Sequence, residues 1–76
     1  MVVIDVEATG KKMHRMAKEK YKMRHFSEML GLTSSSVMYH WFNGDRMPCV
    51  DKLFQIADLL DCKVDELVVT RRIGND

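Results

Sequence analysis

Three kinds of side chain in this sequence could do chemistry: histidines, cysteines and a dense set of cations. His14, His25 and His40 fall in separate segments, and none stands at an evident spacing from both a nucleophile and an orienting carboxylate. No glycine-rich phosphate loop is present. Cys49 and Cys62 do not form a CxxC pair, and no His/Cys/carboxylate cluster has metal-ligand spacing, so both read as reduced thiols of a cytoplasmic protein. The expectation is a chain that is not an enzyme and needs no cofactor.

The cations are more informative. Seven Lys/Arg and a single acid, Glu19, lie between Lys11 and Arg24. From Cys49 to Val69 the balance reverses, with Asp51, Asp58, Asp61, Asp65 and Glu66 against Lys52 and Lys63. The formal net charge of +1 hides this division into a basic and an acidic end. A basic stretch suits phosphates; the plain alternative is a solvated face.

These residues must be positioned by one small domain, because 76 residues cannot enclose a second core. With 46% hydrophobic and 30% charged residues the chain has a globular balance. Seven methionines suggest an adaptable core. No signal peptide and no membrane span is expected.

The expected fold is all-α, with five helices in a compact domain over residues 9–69, a short N-terminal arm over 1–8 and a flexible tail over 70–76. Thr9 is the expected cap of a first helix from about Gly10 to Lys20, whose apolar face is Met13, Met16, Ala17 and Tyr21. A second helix over about Met23–Leu30 buries Phe26 and Leu30 and stops at Gly31. Ser34 is the expected cap of a third, over 35–42, with Val37, Met38 and Trp41 inward and Asn43-Gly44-Asp45 as the turn after it. Pro48 leads into a fourth helix ending near Leu60, with Val50, Leu53, Phe54, Ala57 and Leu60 on one face. A short fifth covers about Val64–Val68.

The ordered segments Phe26–Thr33, Met38–Gly44, Pro48, Leu53–Leu60 and Val64–Leu67 together resemble the Cro/repressor-type, or xenobiotic-response-element, family of helix-turn-helix transcriptional regulators. The resemblance covers about Thr9 to Val69. It implies a lambda-repressor-like DNA-binding domain whose second helix crosses the DNA backbone while the third enters the major groove. Double-stranded DNA is the implied partner, and a homodimer stays open, since most members of that family bind as dimers. Ser35, Ser36 and His40 match the base-reading positions. Lys22, Arg24, His25, Ser34, Tyr39, Asn43 and Arg46 match or neighbour the backbone-contacting ones. Plainer roles stand beside these: helix capping for the serines, a solvated surface for His40, packing for Tyr39, and a turn for Asn43 and Arg46. Lys11, Lys12 and Arg15 are left outside the site.

Three departures mark the resemblance. Gly31 to Gly44 is one residue longer than the common pattern, and the extra residue is placed in Thr33-Ser34. Met23 replaces a glutamine that bonds a phosphate in the family, leaving Lys22 as a point charge beside it. Met16 and Phe42 stand where the family pairs Arg with Glu, so the resemblance implies that these two side chains meet, two packed hydrophobes replacing an ion pair. The competing class is a protein-interaction module, such as an antitoxin or a helix-turn-helix fold that has lost its DNA.

Overall fold

The computed structural model describes residues 1–74. Its elements, in chain order, are β1 (Val2–Ile4), α1 (Val6–Lys20), α2 (Met23–Met29), α3 (Ser35–Phe42), α4 (Val50–Leu59), α5 (Val64–Leu67) and β2 (Thr70–Arg72). The chain is thus mostly helical, with five helices and one small sheet.

The sheet departs from the expected all-α class. β1 and β2 pair antiparallel, with Val2 opposite Arg72, Val3 opposite Arg71 and Ile4 opposite Thr70. The Met1 ammonium group reaches the Ile73 carbonyl, and Ile73 N–H donates to Met1 O at 3.0 Å. Arm and tail are therefore one ribbon. The valine-rich ends supply β-branched residues, but alternation over three residues is too short to read before the partner is known. Of the expected tail, residues 75 and 76 lie outside the described residues.

The first helix begins four residues earlier than expected. Asp5, not Thr9, is its N-cap, and the Asp5 carboxylate accepts from Ala8 N–H at 2.9 Å. Thr9 is fully buried instead. Its hydroxyl accepts from Val69 N–H at 2.9 Å and donates to Val69 O at 3.3 Å, tying α1 to the strand end. Gly10, the expected first residue of the helix, lies inside it and is buried. A Cβ there would lie 2.2 Å from Trp41 O and 2.8 Å from Phe42 O, so its absence lets α1 press against the end of α3.

The helices converge on one core: Met13 and Ala17 from α1, Phe26 and Leu30 at α2, Met38, Trp41 and Phe42 from α3, Leu53, Ile56, Ala57 and Leu60 at α4, and Leu67. In α4 the buried residues follow helical spacing, at positions i, i+3, i+4 and i+7. Three side chains expected inward are exposed: Val37 (41%), Val50 (70%) and Phe54 (62%). Each stands beside a buried stripe rather than in it, about 100° round from Met38, or from Leu53 for Phe54; Val50 opens its helix. Of the methionines, Met13 and Met38 are buried while Met1 and Met29 face water.

Side-chain bonds fasten the helices to one another. Tyr21 Oη donates to Leu59 O at 2.8 Å, and the Lys52 ammonium donates to Leu30 O at the end of α2. The chain leaves α2 at Gly31 in a left-handed conformation (φ 70°), with Gly31 N–H donating to Glu28 O and Leu32 N–H to Ser27 O. This double bond pattern satisfies the last carbonyls and turns the chain sharply toward α3. The same pattern closes α4 with an aspartate, Asp61 (φ 58°), in the left-handed position.

Candidate nucleic-acid interface

The turn from Gly31 to Ser34 sets α3 against α2 and leaves an open concavity between them. Arg24 and Ser27 of α2, Thr33 and Ser34 of the turn, and Ser35 and Tyr39 of α3 contribute to its wall, with Met23, Glu28 and Leu32. All ten residues singled out from the sequence (Lys22, Arg24, His25, Ser34, Ser35, Ser36, Tyr39, His40, Asn43 and Arg46) are exposed. The concavity brings four of them together: Arg24, Ser34, Ser35 and Tyr39. Lys22, His25, Ser36, His40, Asn43 and Arg46 lie outside it.

Two of the serines carry a structural task. Ser34 is the N-cap of α3, its hydroxyl accepting from Ser36 N–H at 3.2 Å. The Ser34 and Ser36 hydroxyls are also 2.9 Å apart and bonded. Ser35, the first residue of α3, has neither engagement and lines the concavity. Small side chains here leave the start of α3 open to a broad approaching surface.

His40 lies one turn further along α3. Its Nδ1 is 3.2 Å from Asp45 Oδ2, both side chains being about half exposed. A carboxylate held at Nδ1 fixes the ring orientation and leaves Nε2 without a protein partner among the described residues. The ring of His25 lies 6.3 Å from that of Tyr21.

Tyr39 is 39% exposed and packs by its edge. Its ring lies 5.9 Å from His14 and 5.6 Å from Phe42, nearly perpendicular to both. α1 lays His14 on Phe42, stacked with centroids 4.3 Å apart. Met16, expected to meet Phe42, lies about 160° round α1 from His14 and packs as a partly buried residue against the core cluster to which Phe42 belongs. His14 is one turn on from Gly10 and shares the face that touches α3. Burial, and then the Lys18 ammonium, lower the His14 pKa below its ordinary value.

Neither His14 nor Thr33 is among the site residues expected from the sequence. Nothing local in the sequence distinguishes Thr33 from its serine neighbours, and the placement of His14 depends on how closely α1 approaches α3. Two of the three cations left outside the site are otherwise engaged: Lys11 pairs with Glu7 at 3.4 Å, and Lys12 donates to Glu66 O. Among the described residues no group of three or more His, Cys, Asp or Glu could hold a metal ion. None of the described helices is long and apolar enough to cross a membrane. No protein-family model, curated protein or solved structure matches the chain.

Proposed function

We propose that the chain is a helix-turn-helix module of the lambda-repressor type that binds duplex DNA sequence-specifically and regulates transcription. The observation that carries this reading is the shared exposed wall of Arg24, Ser34, Ser35 and Tyr39 where α2 meets α3. A guanidinium and hydroxyl groups on a concave surface suit phosphate oxygens. The adjoining start of α3 has only small side chains, which admits base edges, and His40 Nε2 extends the same helix by a further acceptor or donor. Lys22, His25, Asn43 and Arg46 would add backbone contacts at the margins.

Two carboxylates favour the second reading, a protein-interaction module. Glu28 lies in the concavity and Asp45 holds His40, and both oppose phosphate. A fluorescence-anisotropy titration with random-sequence duplex at several salt concentrations separates the two. Binding that weakens steeply with salt is the expected result for DNA, through counterion release. A folded chain with no binding at low salt selects the interaction module.

A further inference from the structure

The turn that follows α3 holds one carboxylate in place. Gly44, in the left-handed region at φ 79°, donates its N–H to Trp41 O at 3.1 Å, and Asp45 N–H donates to His40 O at 2.9 Å. Together these bonds satisfy the last carbonyls of the helix and tie the Asp45 backbone to His40. A Cβ at Gly44 would lie 2.8 Å from the Glu7 Cα, so the turn also presses against α1. The Asp45 carboxylate thus meets His40 from an anchored backbone. Among the described residues it has no other polar partner.

This contact decides what His40 can offer. An ionised carboxylate has no proton to give, so the ring must be the donor between Nδ1 and Asp45 Oδ2. A neutral imidazole carries a single ring proton. With that proton on Nδ1, Nε2 keeps a lone pair and can only accept. Ser36 stands one turn before His40 on α3, and both are exposed. A hydroxyl can donate or accept and so chooses little between bases, whereas His40 is one-sided. In the major groove, adenine and cytosine present an exocyclic amino donor, and guanine and thymine present a keto oxygen that a bare nitrogen cannot bond.

We propose that Asp45 is a positioning residue that makes His40 an acceptor, and that His40 thereby selects an amino-bearing base, adenine or cytosine, over a keto-bearing one at the position it meets. The inference rests on the DNA reading given above. It accounts for an acid on a surface offered to phosphates: the carboxylate weakens attraction to the backbone and sharpens the choice of base.

The ring nitrogens report the tautomer without DNA. In the full chain at about pH 8.5, well above the ordinary imidazole value, the imidazole nitrogen-15 shifts should place the His40 proton on Nδ1. Asp45→Ala should spread it over both nitrogens. A proton on Nε2 in the parent overturns the proposal. Selection of duplexes from a random pool at the same pH then finds the base whose preference disappears in His40→Ala. That base should carry an amino group, preferred roughly three- to tenfold over a keto base, the worth of one hydrogen bond. Asp45→Ala should abolish the preference yet tighten binding to random duplex, because an acid facing phosphate is gone. Its melting temperature should stay close to the parent's, since the backbone bond to His40 O remains. A keto base at that position, a preference that survives Asp45→Ala, or no base that depends on His40 overturns the proposal while duplex binding stands. So does Asp45→Ala binding all duplexes more weakly alike, which is what a merely structural aspartate would give. A folded chain that binds no duplex at low salt sinks the DNA reading, and the base choice with it.

Discussion

The imidazole of His14 lies flat on the ring of Phe42, with centroids 4.3 Å apart and planes 6° apart. Tyr39 closes the group edge-on, so three rings join α1 to α3. Burial lowers the His14 pKa from 6.5, and the Lys18 ammonium lowers it further. The folded state thus favours the neutral ring more than the unfolded chain does. A lowered histidine pKa contributes stability that is complete above the unfolded value and is lost as pH falls below it toward the folded value. The melting temperature is expected to drop as pH falls below about 6.5. His14→Phe keeps a stacked ring without a proton to gain, and should flatten that part of the profile. An equal drop in the variant would assign the effect elsewhere.

Gly10→Ala should destabilise the fold although alanine is the better helix former by about 1 kcal/mol. The added carbon would meet the backbone carbonyls of Trp41 and Phe42, which cannot swing aside as a side chain could. With about 1–3 kcal/mol lost to the clash and about 1 kcal/mol regained in helix propensity, the expected net cost is up to about 2 kcal/mol, read from the urea midpoint. A variant more stable than the parent would show that α1 does not approach α3 this closely.

Thr9→Val keeps the shape of the side chain and removes its hydroxyl. Val69 N–H then loses its acceptor in a part-buried position. Leaving a buried donor unpaired costs about 1–3 kcal/mol, and the partial exposure of Val69 puts the expected loss at the lower end, about 1 kcal/mol. Thr9→Ser should retain most of that stability, and equal denaturation midpoints for the two variants would refute the role given to the hydroxyl.

Asp61 ends α4 at φ 58°, a conformation that costs an ordinary residue about 1–2 kcal/mol. Glycine adopts it freely but loses more entropy on folding, about 0.5–1 kcal/mol. Asp61→Gly is therefore expected to raise stability by roughly 0.5–1 kcal/mol. Thermal melts of the two proteins side by side measure it; a lower melting temperature would mean that the aspartate side chain outweighs the backbone strain.

On DNA, Arg24→Ala should weaken binding to all duplexes alike and reduce the salt slope by about one unit, as loss of one phosphate contact does. His40→Ala should instead narrow the gap between a selected duplex and a random one while leaving the slope nearly unchanged. Unaltered affinity in both variants would remove α2 and α3 from the proposed contact surface.

Much of the helical framework was legible because local rules govern it. Gly31 ends α2, Ser34 caps α3 and the Phe26/Leu30 pair is buried, each as the nearby residues require. The parts that were not legible depend on residues distant in sequence. The expected N-terminal arm held both β1 and the Asp5 cap, and β1 has no visible partner until β2 is known. Thr9 looked like a cap because a buried threonine bonded across 60 residues has the same local context as an exposed one. Phe54 looked like core because its place beside Leu53 gives no warning of which flank has no neighbour. In the candidate interface, the grouping of Arg24 with Ser34, Ser35 and Tyr39 required the angle between two helices.

The ribbon has a consequence for the order of events in folding. Its pairs join the first residues to the last described ones, Val2 to Arg72, and closing so long a loop costs entropy that only a preformed helical core can offset. The helices should therefore assemble first and the ribbon close last. During synthesis the start of α1 must wait, since Asp5 N–H and the Thr9 hydroxyl both take their partner from Val69, at least 60 residues further along the chain. Hydrogen exchange should find Asp5 and Val69 less protected than the amides within α4, and both ends should open together rather than one before the other.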